Sequence, residues 1–209
     1  FLLAISFHTL TKFRNIEILN LISDATTKMA KAELIQLMRP FTKINEREYL
    51  EIVINKTATL FGAAIKTGAI LAGADKKSAM LLYDYGIKLG IAFQIIDDAL
   101  DYSDKFKTGK PVGGDLKERK ITLPLSHLIK KAKNSDKKLL NSILNLEKIE
   151  KSHVEEVINL MVKYNSINYT LEASKKYVKK AKNIVFDLPP TSLKETLNQI
   201  ADYVVSRKV

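Results

Sequence analysis

The sequence predicts an all-α fold, and three observations carry that expectation. Glycine (8) and proline (5) are scarce among 209 residues, so few points force the chain to break. Long stretches of Leu, Ile, Ala, Lys and Glu repeat their apolar residues at helical spacing. Aromatic residues make up only 8%, a poor supply for β-architecture. A hydrophobic content of 46% is enough to close one sizeable core, which excludes disorder, collagen-like repeats and a disulfide scaffold. One domain over residues 1–209 is the expectation.

Helices are expected over 1–11, 15–38, 46–72, 76–102, 122–133, 136–147, 151–164, 168–185 and 191–206. The first follows from Phe1, Leu2, Leu3, Ile5, Phe7 and Leu10, an apolar helical pattern that begins without methionine or a cap residue and leads to the expectation of further sequence upstream. The second carries Met29, Leu34 and Leu37 and stops at Arg39-Pro40. In the third, Val53, Ile54, Leu60, Phe61 and Ile65 share the chain with the small residues Gly62, Ala63, Ala64 and Gly68. Asp75 caps the fourth. Residues 103–121 hold Gly109, Pro111, Gly113 and Gly114 and form the one long glycine-bearing loop, a kind of segment that usually carries function. Beyond it, lysine-rich segments keep helical apolar spacing, punctuated by Asn134-Ser135 and by Pro189-Pro190-Thr191-Ser192.

The net charge of +11 is unevenly spread. Residues 1–102 carry 12 basic and 11 acidic groups, whereas residues 103–209 carry 22 and 12. Only five of the basic residues are arginine, the side chain that phosphate and base readout favour. Runs such as Lys130-Lys131-Ala132-Lys133 and Lys175-Lys176-Tyr177-Val178-Lys179-Lys180 therefore read as solvated helix faces, and no nucleic-acid partner is expected. The chain has no cysteine, which excludes zinc-thiolate sites and thiol nucleophiles and fits a cytoplasmic setting. No apolar run of about 18 to 20 residues is expected to span a membrane, since Lys66 splits the longest candidate, 57–74.

The chemistry gathers on the fourth helix. Gly86, Gly90, Gln94, Asp97, Asp98 and Asp101 fall on one face, while Ile87, Leu89, Ile91, Phe93, Ile95, Ile96 and Leu100 cover the others. A helix buried on nearly every side is expected to turn its odd face to a cavity. Two glycines one turn apart weaken a helix interior by roughly 1 kcal/mol each and are tolerated where another group approaches closely. Three carboxylates at i, i+1 and i+4 near a helix C-terminus repel one another and oppose the macrodipole, so they call for cations. Mg²⁺ fits: a hard ion that takes one or two carboxylates and completes its shell with water and substrate phosphate oxygens. Lys56-Thr57 lies on an apolar helix, so its ammonium needs an anionic partner. Lys110 and Lys120 bracket the glycine loop with Asp115 between them, and Glu33 and Gln36 share a face of the second helix. Together these residues describe a diphosphate pocket with an acidic mouth and an apolar interior walled by Gly86, Gly90 and Phe61.

Gly90-Ile-Ala-Phe-Gln-Ile-Ile-Asp-Asp-Ala-Leu-Asp-Tyr102 and Gly109-Lys-Pro-Val-Gly-Gly-Asp-Leu-Lys-Glu-Arg-Lys-Ile-Thr-Leu-Pro124 resemble the second aspartate-rich motif and following segment of the trans-isoprenyl diphosphate synthases (polyprenyl synthetases), above all the bacterial octaprenyl- and decaprenyl-type enzymes. Asn55-Lys-Thr-Ala-Thr-Leu-Phe61 resembles their Lys-Thr helix, and Ala32-Glu-Leu-Ile-Gln-Leu37 their Gly-Glu-x-x-Gln-Leu helix, with Ala32 in place of glycine. Arg119 likewise stands where glycine is usual. The resemblance implies an isoprenoid-synthase-type helical bundle around a deep hydrophobic cavity, usually a homodimer, and at most transient membrane contact through a lipophilic product. It implies that Asp97, Asp98 and Asp101 hold Mg²⁺, that Asp97, Asp98 and Lys56 are catalytic, and that Lys56, Lys110 and Lys120 contact an allylic diphosphate. Thr57, Gln94, Glu33 and Gln36 join in substrate binding, and Asp115 supports the metal from behind. The implied reaction condenses isopentenyl diphosphate with the allylic diphosphate into a long-chain polyprenyl diphosphate, such as a quinone side chain.

Nothing here matches the family's first aspartate-rich motif, the arginine pair after it or the upstream basic segment. The N-terminal helices that carry them are therefore expected to precede Phe1, and this chain to be the C-terminal portion of the domain. A different reading keeps every residue named: a shortened relative that binds diphosphates, or pairs with a complete synthase, without doing chemistry.

Overall fold

The structure, a computed structural model, describes residues 1–38, 41, 45–103, 112–190 and 192–206. The described residues form helices and their connections, with no strand. In chain order these are α1 (Leu2–Lys12), α2 (Ile16–Leu37), α3 (Glu46–Val53), a π-helical turn (Ile54–Ala58), α4 (Thr59–Leu71), α5 (Lys76–Leu100), α6 (Gly114–Lys117), α7 (Leu123–Lys131), α8 (Asn134–Leu144), α9 (Lys151–Lys163), α10 (Ser166–Asp187) and α11 (Leu193–Ser206). The all-α expectation is met. The expected punctuation at Arg39-Pro40, Gly109, Pro111 and Thr191 lies outside the described residues.

Local chemistry explains the boundaries. Asp75 caps α5 by accepting from the backbone N–H of Lys77 and Ser78 at 2.9 and 3.0 Å. Asn45 and Glu48 exchange side-chain and backbone hydrogen bonds in a capping box that starts α3. Two expectations need amending. The single helix over 46–72 is interrupted by the π-turn, whose widened geometry Thr59 supports by donating its hydroxyl to the Ile54 carbonyl at 2.7 Å. The glycine loop contains the short helix α6, entered through Gly113 at φ +75°, where a Cβ would meet Val154 at 2.3 Å.

Helix α5 is the axis. It packs most extensively along α10 and α4, and its Leu89, Ile91, Ala92, Ile95 and Ile96 are buried. One core cluster joins α5 to α10 and α11 through Tyr85, Leu89, Val178, Val185 and Val204. A second joins α5 to α3, the π-turn and α7 through Tyr49, Val53, Ala58, Ile91 and Leu123. A third fills the space among α6, α7, α8 and α9. By length and composition α5 could cross a membrane, although Asp84 and Lys88 interrupt its apolar run; over half of its apolar window is buried inside the protein, as befits a core helix.

The glycines of α5 do something other than expected. A Cβ on Gly86 would lie 2.7 Å from Gly62 Cα, and one on Gly90 would lie 2.6 Å from Ala58 Cα. Gly86 and Gly90 are seats for the backbone of α4 and the π-turn, not cavity walls. The partly buried Phe61 ring lies 5.3 Å from that of Phe93, against the core that α5 shares with α10 and α11.

Candidate functional site

The predicted polar residues collect around the C-terminal end of α5. Asp98 is 3% exposed, and both its oxygens are engaged. Tyr49 of α3 donates its hydroxyl to Oδ2 at 2.6 Å, and Gln94, one turn earlier on α5, donates Nε2 to Oδ1 at 2.8 Å. Gln94 Oε1 in turn accepts the hydroxyl of Thr57 at 2.7 Å. Lys56, the neighbour of Thr57 in the π-turn, points toward α2, where its Nζ lies 2.6 Å from Glu33 Oε2 and donates to Gln36 Oε1 at 2.7 Å. The anionic partner that Lys56 requires is Glu33.

The loop after α5 closes the other side. Asp101 accepts from the backbone N–H of Gly114 (3.1 Å) and Asp115 (3.0 Å), so its carboxylate caps α6. Lys120 pairs with Glu118. Desolvation works to lower the Lys120 pKa, but Glu118, with Asp115 and Glu33 beyond it, outweighs this and raises it. The Glu118 carboxyl is held below its usual range first by Lys120 and also by the charge of Lys56. The π-turn, α2 and the loop thus share one electrostatic neighbourhood. Lys110 lies outside the described residues.

Burial dominates the acids. Desolvation, aided by the charges of Asp115 and Asp97, pushes Asp98 up to about 8 against the opposing hydrogen bonds from Tyr49 and Gln94. Asp115 is pushed up to about 6 by desolvation and by Asp101, and Asp101 is raised chiefly by desolvation. Among the described residues no three Asp, Glu or His side chains converge as a ready-made metal cluster. Of the expected set, Asp98 turns inward to Tyr49 and Gln94 and Asp101 turns to the α6 backbone. The chemistry still fits a hard divalent cation. Carboxylate oxygens with raised pKa gain most from an incoming positive charge, and each keeps a second lone pair beyond the bond it accepts. Asp97 and Asp101 are the partly exposed members.

Sequence reasoning missed Tyr49. It lies 49 residues from its partner Asp98, and a tyrosine on an apolar helix face carries no signal of a polar contact. It also missed a cleft of about 540 Å³ between α3, α7 and α10, lined by Glu46, His127, Lys131 and Tyr169 among others, with the His127 and Tyr169 rings stacked at 4.1 Å.

Comparison with known proteins gives this arrangement a lineage. The polyprenyl synthetase family model matches residues 1–161. The octaprenyl diphosphate synthase of Haemophilus influenzae is 33% identical over 211 residues, covering 99% of this chain and 63% of the relative. The heptaprenyl diphosphate synthase component 2 of Bacillus subtilis is 32% identical, covering 100% and 59%. In three dimensions, polyprenyl synthase from Caulobacter crescentus complexed with calcium and isoprenyl diphosphate superposes with a TM-score of 0.92 at 32% identity, covering 99% of this chain and 63% of that one. The chain thus spans less than two thirds of the length of these relatives. Because the match extends across the second aspartate-rich motif, the segment that follows it and the helices that carry Lys56 and Asp97, the chain belongs to the polyprenyl synthetase family.

Proposed function

We propose that this chain contributes the diphosphate-ionising wall of a prenyltransferase that joins isopentenyl diphosphate to an allylic diphosphate and releases a long-chain polyprenyl diphosphate. The observation that carries the reading is the shared electrostatic neighbourhood in which Lys56, paired with Glu33, and Lys120, paired with Glu118 and drawn to Asp115, lie beside the loop that Asp101 anchors at the end of α5. Breaking an allylic carbon–oxygen bond leaves charge on the departing diphosphate, and preorganised cations lower that barrier. Lys56 and Lys120 are already partnered by Glu33 and Glu118, so an arriving diphosphate exchanges or shares those carboxylates. Lys110 is proposed as a third ammonium. Bound Mg²⁺, reached through Asp97 and Asp101, supplies Lewis-acid stabilisation of the leaving group. Asp98 orients Gln94 from behind, and Asp115 supports the metal side of the loop. Gln94 and Thr57 line the approach to the reacting carbon, while Gln36 keeps Lys56 aimed.

Octaprenyl-type product length and a homodimer belong to the same proposal. The first is supported by the identity to an octaprenyl synthase, the second by the apolar residues that α1 and α2 leave exposed, Leu2, Leu3, Ile16 and Leu37 among them. A cytoplasmic setting fits the absence of cysteine.

Incorporation of labelled isopentenyl diphosphate into lipid-soluble product, with Mg²⁺ present, tests the reading. Asp97→Ala is expected to abolish incorporation, and near-normal turnover in that variant rejects the metal assignment. The similarity to a heptaprenyl synthase component favours one other reading, a subunit that binds diphosphate and works only with a partner. Under it, magnesium pyrophosphate binds without turnover, and turnover appears on adding the partner.

A further inference from the structure

Four side chains run in a single hydrogen-bonded line from the buried core to the proposed pocket. Tyr49 donates to Asp98, Gln94 donates to the other oxygen of Asp98, and Thr57 donates to Gln94. Tyr49 and Asp98 are each 3% exposed, whereas Gln94 and Thr57 are partly open. The line has a fixed sense. Asp98 Oδ2 receives the Tyr49 hydroxyl and Oδ1 receives Gln94 Nε2, which leaves the other end of the Gln94 amide, its oxygen, to Thr57. A threonine hydroxyl has one hydrogen, and here that hydrogen points back into the protein.

We infer that Tyr49 is a positioning residue which, by holding Asp98 and through it Gln94, commits the Thr57 hydroxyl to accept and never donate toward the ligand. Thr57 is then unsuited to donate to a phosphate oxygen, which is left to its neighbour Lys56. It is suited to a positive or hydrogen-bearing partner, such as water held on a divalent cation. Within the π-turn the two neighbours point apart, Lys56 to Glu33 and Gln36 on α2 and Thr57 to Gln94 on α5, so successive residues carry opposite hydrogen-bonding senses. The inference rests on the diphosphate–metal reading of the site.

The test has two arms. Without ligand, the Gln94 side-chain NH₂ pair in a ¹⁵N–¹H spectrum, identified by its loss in Gln94→Glu, reads the line directly. Tyr49→Phe is expected to move that pair toward the position of an ordinary solvated glutamine, and an unmoved pair overturns the inference. With ligand, calorimetric titration of pyrophosphate is run on the 209-residue chain, once with Mg²⁺ and once with EDTA. Thr57→Val is expected to weaken binding about 3- to 10-fold with Mg²⁺, the worth of one hydrogen bond, and to leave binding in EDTA unchanged. Thr57→Ser restores it. Tyr49→Phe is expected to weaken magnesium pyrophosphate binding alone but to add nothing in the Thr57→Val background. Equal loss in EDTA, or additive effects of Tyr49→Phe and Thr57→Val, overturns the inference. If Tyr49→Phe fails to fold, Gln94→Met takes its place in the cycle with the same expected non-additivity. A wild-type chain that binds no magnesium pyrophosphate overturns the functional reading instead, and the spectroscopic arm still decides the line.

Discussion

Asp98 shows how one buried carboxyl ties stability to chemistry. Its folded pKa of about 8 stands above the unfolded value of 3.8, so the folded state binds the proton more tightly. The stabilisation this gives is complete below the unfolded pKa and is lost as pH rises toward 8. Asp115, raised to about 6, acts in the same direction over a narrower window. The melting temperature of the metal-free chain is therefore expected to fall between pH 5 and pH 8, and Asp98→Asn to flatten that fall. The asparagine oxygen still accepts from Tyr49, and Gln94 can turn its amide over to meet the new NH₂. A variant as pH-sensitive as wild type would place the effect elsewhere. Arg119 poses a different conflict. It occupies a left-handed conformation, φ +61°, which explains why glycine is the usual residue at this position in the family it resembles. Arg119 offsets that cost by donating to the Leu146 and Glu147 carbonyls at 2.9 and 3.3 Å and by resting over the Phe41 ring at 4.8 Å. Both Arg119→Gly and Arg119→Ala lose these contacts, but only alanine keeps the strain. Urea unfolding is expected to place Ala about 1 kcal/mol below Gly. Equal stabilities would mean that the strain is absent.

At the scale of elements, two glycines that look alike in the sequence are expected to respond with opposite signs. Gly90 lies against Ala58 of the π-turn, so Gly90→Ala drives a methyl group into backbone, with a loss of roughly 1–3 kcal/mol and displacement of Lys56 and Thr57. Gly68, on the open side of α4, has nothing within 4 Å of an added Cβ, and Gly68→Ala is expected to stabilise by about 0.5–1 kcal/mol. Thermal melts of the two variants check both signs, and a stabilised Gly90→Ala would contradict the close approach. Much of this layer was readable beforehand. Apolar spacing located the helices, and Asp75 marked the start of α5, because caps and periodicity are local. The π-turn was not readable: shifting one hydrogen bond by one residue leaves no trace in composition, and Thr59 looks like any helical threonine. For the same reason the glycine pair on α5 announced a close approach without saying whether backbone or ligand would make it. The carboxyl cluster was legible as a set of residues but not as an arrangement, since the inward turn of Asp98 depends on Tyr49 and that of Asp101 on the Gly114 amide.

For the whole molecule, surface composition sets up a contest between charge and apolar area. The net charge of +11 disfavours self-association through mutual repulsion, and most of the excess sits beyond residue 102. The apolar excess sits at the other end. No residue of α1 is buried, and Phe1, Leu2, Leu3, Phe13 and Ile16 are each at least 60% exposed, with Leu34, Leu37 and Met38 adding to the face on α2. An apolar surface of this kind drives association that salt does not weaken, whereas repulsion among lysines is screened once the Debye length falls to about 10 Å near 0.1 M salt. Sedimentation velocity is therefore expected to find this chain least associated at low ionic strength and more associated as salt rises. Leu2→Glu with Leu37→Glu should reverse the trend, placing acids where apolar side chains meet. If association instead fades with salt, opposite charges hold the copies together, and the lysine-rich half, not α1 and α2, forms the contact.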